Sequence, residues 1–339
     1  MNTSTLKHKG YKKVFRFEEP KLDFTGFVAL HSLKRGPAFG GTRYWEYSTE
    51  KEALADALRL ARTMSYKAAL ANLDCGGGKG VIIAKPDADR PAVFQEYAEF
   101  VDSLKGEFFT GRDAGTTLED IEVMREVTSH VVNESVEECG DLNEATALGV
   151  FHGMRACLAH AYPEETFLNR RIAIQGVGGV GLALAKMLRW AGARIIVSDL
   201  VPERMMRGAK EASAGVIEPG GILEVACDIL APCALGAVID PDSVARLKCA
   251  IVCGSANNTL ASDEIGAALM DRRILYAPDY VVNAGALIQG ANYYLHKKQD
   301  NRAEIIAIYD TLLELLALAH ERHEATNLIA DRLAASRLK

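Results

Sequence analysis

Arg171-Ile172-Ala173-Ile174-Gln175-Gly176-Val177-Gly178-Gly179-Val180-Gly181 decides how the rest of the chain is read. A β-prone run enters a Gly-x-Gly-x-x-Gly pattern, and a helical segment, Leu182 to Trp190, leaves it. A second apolar run, Arg194 to Ser198, then ends at Asp199, eighteen positions after Gly181. The glycines alone say little. Strand, glycine loop, helix, strand and acidic residue in that order are the context of a dinucleotide site. Gly176 makes the turn, Gly178 lets backbone N–H groups approach a pyrophosphate, and Gly181 lets the helix pack on the strand; Gly179 and Val180 complete the loop. Asp199 is placed to accept hydrogen bonds from ribose hydroxyls and to repel a 2′-phosphate, which favours NAD over NADP. Arg204, five residues on, leaves NADP a little access.

Downstream, each apolar run ends in small or polar residues. Asp228-Ile229-Leu230 leads to Ala231-Pro232-Cys233-Ala234, and Ala250 to Cys253 leads to Gly254-Ser255-Ala256-Asn257-Asn258. Ile274 to Ala277 leads to Pro278 and on to Asn283. These loops belong on one rim of a parallel sheet, where open α/β sheets hold ligands. Cys233, Ala234, Ala256, Asn257 and Asn283 therefore join the expected cofactor set. Asn257 and Asn283 suit a nicotinamide carboxamide or a substrate amine; asparagines also serve simply in turns.

Upstream, residues 13–46 alternate short β-rich runs with turns, among them Gly36-Pro37-Ala38-Phe39-Gly40-Gly41. A helix opens at Ser48 to Glu52 and keeps apolar period to Met64, so Lys67 falls on or near its packed face. Twelve positions later Gly76-Gly77-Gly78 precedes Lys79, which reads as a glycine turn holding a partly desolvated ammonium. A strand is expected over 81–84, a helix near 91–104 and a strand over 108–110. Asp113 follows in a loop, and Thr117 with Asp120 gives a capping-box-like helix start. The polar stretch 132–145 marks a domain boundary, and an amphipathic helix runs from Thr146 to Tyr162. Beyond Leu287 the chain is helical, with a long apolar-rich helix from Arg302 to about His320 and another near 328–338.

Composition narrows the classes. The chain has 339 residues, 49% of them apolar and 25% charged, with a net charge of −6. Two soluble domains are the natural expectation, with no basic stripe for nucleic acid and no apolar run of membrane-spanning length. The polar N-terminus leads to no signal-peptide core. Seven cysteines without a Cys-x-x-Cys pair read as reduced thiols of a cytoplasmic protein. No metal site is expected; His320 and His323 read as solvated surface.

Together the motifs resemble the amino acid dehydrogenase superfamily of glutamate, leucine, valine, phenylalanine and tryptophan dehydrogenases, and most closely its branched-chain and aromatic branch. The carriers are Gly36 to Arg43, Met64-Ser-Tyr-Lys67, Gly76 to Lys79, Gly111-Arg-Asp113 with Gly115-Thr116, Gly176 to Gly181, Ala231 to Ala234, Gly254 to Asn258 and Ala277 to Ala284. The resemblance spans roughly residues 10–335. It implies an α/β substrate-binding and oligomerisation domain over 1–140 and 305–339. A Rossmann-type doubly wound parallel sheet is implied over 141–304, with the active site in the cleft between. It also implies reversible NAD-dependent oxidative deamination of an L-amino acid to the 2-oxo acid and ammonium, in a homo-oligomer. Lys67 would hold the substrate carboxylate, Lys79 would work on the water that attacks the imine, and Asp113 would transfer protons.

For the side chain, the resemblance points to Phe39, Gly40, Gly111, Thr146, Leu287 and Gly290. Phe39 stands where glutamate enzymes carry a lysine, so glutamate is disfavoured. Gly111 and Leu287 match the aromatic-accepting members, and Gly290 removes bulk. An aromatic substrate, phenylalanine or tryptophan, is expected ahead of leucine or valine. Arg112, Asp141 and Glu144 depart from the leucine pattern and are candidates to reach a polar group. A 2-hydroxy acid dehydrogenase would want a catalytic histidine that the motif loops lack. A dinucleotide-binding regulator without catalysis would not need both lysines and Asp113.

Overall fold

Alternating apolar residues between 13 and 32 pair as two long antiparallel strands. In the computed structural model, which describes residues 1–133, 139–234 and 236–338, these are β2 (Lys13–Glu19) and β3 (Phe24–Ser32). β1 (Asn2–Leu6) adds to β2 as an antiparallel edge strand, in register from Asn2 opposite Glu18 to Leu6 opposite Val14. It was not expected, because its exposed Asn2 to Thr5 carry no apolar alternation. On the other side β3 pairs antiparallel with β6 (Gly76–Ile83). β6 in turn carries β4 (Ala38–Phe39) and β5 (Thr42–Trp45), both parallel to it. β7 (Phe108–Phe109) pairs parallel with β4 and closes the sheet.

The helix Glu50–Leu70, capped by Thr49, packs Ala53, Ala57 and Ala61 with Phe27, Ala29 and Val81. A second core joins strand residues Phe17, Val28 and Ile82 to Phe94, Tyr97 and Val101 of the helix Arg90–Ser103 and to Ile121 and Met124 of the helix Leu118–Val127. The expected capping box is present, with Thr117 and Asp120 each accepting the other's backbone N–H.

Gly76 to Gly78 form no turn. They begin β6, and none of them has positive φ. A Cβ on Gly76 would stand 1.7 Å from the Ser32 carbonyl oxygen, and one on Gly77 would stand 2.0 Å from the Ser65 nitrogen. The glycines are there so that the neighbouring strand and helix can approach β6 at backbone distance.

The second sheet is wholly parallel, in the order β10 (Gly215–Val216), β9 (Arg194–Ser198), β8 (Arg171–Gln175), β11 (Cys227–Pro232), β12 (Cys249–Val252), β13 (Leu275–Tyr276). The chain order reverses between β8 and β11, which is the switch point of a doubly wound sheet. The helix Leu142–Ala161 begins four residues before the expected start, with Asp141 as its cap. The single expected helix 302–320 is two, Arg302–Ile306 and Ile308–Arg322.

One compact unit comprises Met1–Gly140, Gly290–Gln299 and Arg337–Lys339; the other comprises Asp141–Gln289 and Asp300–Ser336. The expected return of 305–339 to the first domain therefore does not match the packing. Ile308, Leu312, Leu315 and Leu316 are buried on a helix that packs against Leu142–Ala161, and Tyr280 donates to Asp331 at 2.6 Å. No helix among the described residues is long and apolar enough to cross a membrane.

Candidate active site

Lys79 stands on β6, only 5% exposed. Its Nζ lies 3.0 Å from Asp113 Oδ2. The same oxygen accepts a hydrogen bond from Arg43 Nε at 2.9 Å. Burial lowers the affinity of Lys79 for its proton, Asp113 opposes that, and Arg43 adds to it. Burial would raise the Asp113 carboxyl, but Lys79 and Arg43 outweigh it and hold the group at about 2. The pair is thus an ammonium made acidic beside a carboxylate kept charged.

Arg43 is the member that sequence reasoning left without a role. It closes the Gly36-to-Arg43 motif, but its meaning lies in strand register. β5 pairs Arg43 opposite Val81, and Val81 shares a sheet face with Lys79, two residues away.

Lys67 is buried in the last turn of the helix Glu50–Leu70, as its place in the apolar period suggested. Phe39 is buried on β4, its ring stacked on Phe109 at 4.7 Å between centroids. Gly40 donates to the Phe109 carbonyl, and a Cβ there would stand 1.8 Å from the Gly78 carbonyl oxygen. Val132 links the next two positions: added Cβ atoms would stand 3.4 Å from it at Gly111 and 3.5 Å from it at Gly290. Within the first unit Phe39 and Gly40 thus share Phe109 as a neighbour, and Gly111 and Gly290 share Val132.

Thr146 and Leu287 belong to the second unit. Thr146 is buried and donates to the Leu142 carbonyl at 2.8 Å. Leu287 is half-buried on the helix Gly285–His296. Asp141 accepts N–H bonds from Asn143 and Glu144, so its carboxylate serves as a helix cap. Arg112 and Glu144 are exposed.

At the switch point Gly176 has φ +90°, a conformation that demands glycine. A Cβ on Gly181 would stand 2.0 Å from the Gly176 carbonyl oxygen, whereas one on Gly178 would meet nothing within 4 Å. The helix Gly179–Trp190 has no side-chain cap, so no capping oxygen competes for its first N–H groups. Gly179 packs against Asn143, a neighbour the sequence did not suggest, and Val180 sits half-buried in the first turn. Asp199 accepts from the Val177 N–H at 2.8 Å and the Val201 N–H at 2.9 Å.

Cys233 and Ala234 lie beside Gly181 and Gly176 respectively. Ala256 donates to the Pro232 carbonyl. Asn283 donates to Asn257 Oδ1 at 2.8 Å and to the Ser255 carbonyl at 3.1 Å, while its own Oδ1 is buried with no hydrogen-bond partner among the described residues. An uncapped helix start, clear space at Gly178 and an orphan amide acceptor fit a nicotinamide dinucleotide.

Of the seven cysteines, all free, Cys227 and Cys233 are half-buried and the others buried. His320 and His323 are exposed, their rings 6.3 Å apart. No group of three metal-ligating side chains occurs among the described residues.

Two family descriptions match the chain: Glu/Leu/Phe/Val dehydrogenase, dimerisation domain, over residues 14–130, and Glutamate/Leucine/Phenylalanine/Valine dehydrogenase over residues 198–300. The chain is 38% identical over 333 residues to leucine dehydrogenase of Thermoactinomyces intermedius, covering 97% of this chain and 91% of that one. It is 37% identical over 341 residues to phenylalanine dehydrogenase of Caldalkalibacillus thermarum, covering 97% and 91%. The crystal structure of L-tryptophan dehydrogenase from Nostoc punctiforme superposes with a TM-score of 0.85 at 36% identity, covering 97% of this chain and 96% of that one.

Proposed function

The chain belongs to the Glu/Leu/Phe/Val dehydrogenase family and is an amino acid dehydrogenase of its leucine, phenylalanine and tryptophan branch, and from that premise we propose that it oxidatively deaminates an aromatic L-amino acid with NAD. The observation that carries the reaction is the buried Lys79–Asp113 pair at 3.0 Å. Asp199 carries the choice of NAD, because a carboxylate beside the ribose position disfavours a 2′-phosphate. Gly176 to Gly181 would cradle the pyrophosphate, and Asn283 and Asn257 would receive the carboxamide. Bound there, the nicotinamide supplies the hydride acceptor.

The remaining steps are proton transfers, and these fall to the chain. Lys67 holds the α-carboxylate as a fixed cation. The substrate amine must lose a proton before its Cα can give up hydride; the neutral form of Lys79 takes it, and the Asp113 carboxylate, held charged, stabilises the ammonium that forms. The resulting imine is attacked by water. Lys79, whose burial makes its proton easier to release, gives that proton up to solvent and takes another from the water as the C–O bond forms. The carbinolamine then returns a proton to nitrogen, and ammonia leaves.

Phe39, in place of a cation, and the glycines at 111 and 290 support an apolar, roomy side-chain pocket. Val132 favours the competing reading, a branched-chain substrate, because it takes back part of the space the two glycines release. Initial rates with L-phenylalanine, L-tryptophan, L-leucine and L-valine, each with NAD and NADP at alkaline pH, separate these. An aromatic preference of about tenfold or more in kcat/KM is expected; a leucine or valine preference moves the assignment to the branched-chain side. We propose a homo-oligomer too, supported by the dimerisation-domain match over 14–130, and sedimentation at equilibrium checks it.

A further inference from the structure

The Lys79–Asp113 pair does not end at Arg43. Arg43 uses Nε on Asp113 and Nη1 on Asp56, at 2.9 and 2.8 Å. Asp56 Oδ2 also accepts the Tyr47 hydroxyl at 2.7 Å, and its Oδ1 accepts Arg59 Nη2 at 2.6 Å. The charges alternate along a line: Lys79, Asp113, Arg43, Asp56, Arg59. β6, β5, the loop after β7 and the helix Glu50–Leu70 each contribute a member. The side chain of Asp56 is only 15% exposed and that of Arg59 is 49% exposed, so the line runs from the buried lysine to solvent.

We propose that Arg43 and Asp56 are positioning residues that set how readily Lys79 gives up its proton, acting through Asp113. This rests on the reading of Lys79 as the acid–base group. Arg43 and Asp56 pair at 2.8 Å with side chains 21% and 15% exposed, so each keeps the other's charge in a largely desolvated place. A guanidinium fork shared between two carboxylates fixes both in angle as well as distance. Asp113 is thereby held for Lys79 with one oxygen, and its charge is partly spent on Arg43. Asp56 in turn neutralises Arg43, and Arg59 and the Tyr47 hydroxyl moderate Asp56. Around Lys79, Asp113 and Asp56 favour its ammonium and Arg43 opposes it.

The arrangement makes opposite predictions for two neighbouring variants, which a merely structural role would not. Asp56→Asn leaves Arg43 uncompensated, so Lys79 loses its proton more readily. The acid limb of kcat/KM should move to lower pH by about half a unit. Arg43→Gln removes the opposing cation and frees Asp113 for Lys79, so the limb should move to higher pH by a similar amount. Arg43→Lys keeps the cation and should lie between wild type and Arg43→Gln. Thermal melts accompany each profile to show that the variants fold.

Displacements in opposite directions support the proposal. Displacements in one direction, or equal losses of kcat with the limb unmoved, overturn it. Should Arg43→Gln be inactive, Arg59→Gln at the exposed end decides. It strengthens Asp56 and should raise the limb by less, and an unmoved limb there overturns the proposal. Failure of the underlying reading looks different: wild type would form no NADH from any amino acid, and Lys79→Ala would cost nothing.

Discussion

In the proposed mechanism Lys79 is the residue on which the chemistry depends, and its substitution is the most direct test. Lys79→Ala should lower kcat/KM by about 10²–10⁴-fold while leaving NADH binding intact by fluorescence titration. Activity within tenfold of wild type would remove Lys79 from the mechanism. Asp113 makes a separate, thermodynamic prediction. Its folded value of about 2 lies below the ordinary aspartate value of roughly 3.9. Its stabilisation is therefore complete above about pH 4 and is lost as pH falls through about 2, a contribution of about 2 kcal/mol. Asp113→Asn should be less stable than wild type in urea at neutral pH, and the gap should narrow across that acid window. A gap that held constant with pH would contradict the ion pair. Lys67 and Lys79 stand out in the sequence, one in an apolar helical period and one after a run of glycines, whereas Asp113 reads alone as an ordinary loop aspartate and draws its role from the family resemblance. Arg43 and Asp56 do not stand out, since what joins them is the pairing of β5 with β6 and the approach of a helix, neither of which local spacing records.

The elements show the same division between local and non-local signal. Helix starts with an oxygen-bearing cap, such as Thr117 with Asp120, are written in a few adjacent residues and were readable. Gly76 to Gly78 were not, because a run of glycines serves equally for a turn and for a strand that others approach closely. The space around them decides: Gly77 lies where the helix Glu50–Leu70 touches β6. Gly77→Ala should force Ser65 and Met64 off the strand and cost about 1–3 kcal/mol, read as a lower urea midpoint. Lys67 stands two residues beyond Ser65, so KM should rise along with the loss of stability. An alanine variant with wild-type stability would mean the helix can move away freely, and the close packing would not be what keeps Lys67 and Lys79 in place.

At the scale of the molecule, the polar stretch 132–145 brackets the place where one compact unit gives way to the next, and the doubly wound sheet was implied by the family resemblance. The path of the C-terminal helices was not legible, because an apolar stripe such as Leu312, Leu315 and Leu316 states that it must be covered and not by what. It is covered by the helix Leu142–Ala161, which places Asp300–Ser336 with the dinucleotide groups. The division has a measurable consequence. Gly176 to Gly181, Asp199, Cys233, Asn257 and Asn283 all lie in the second unit, so NADH without substrate should stabilise that unit first. At a free concentration of about 100 times Kd, the gain is about 2.7 kcal/mol. Amides there that exchange only when the unit opens should slow roughly a hundredfold by hydrogen exchange. Peptides from 182–190 and 227–232 should report this, together with peptides from 308–322, which the N-terminal assignment of that helix would have left unprotected. Peptides from β2, β3 and β6 should keep their rates. If NADH slowed β6 while leaving 308–322 unchanged, the C-terminal helices would belong with the first unit after all.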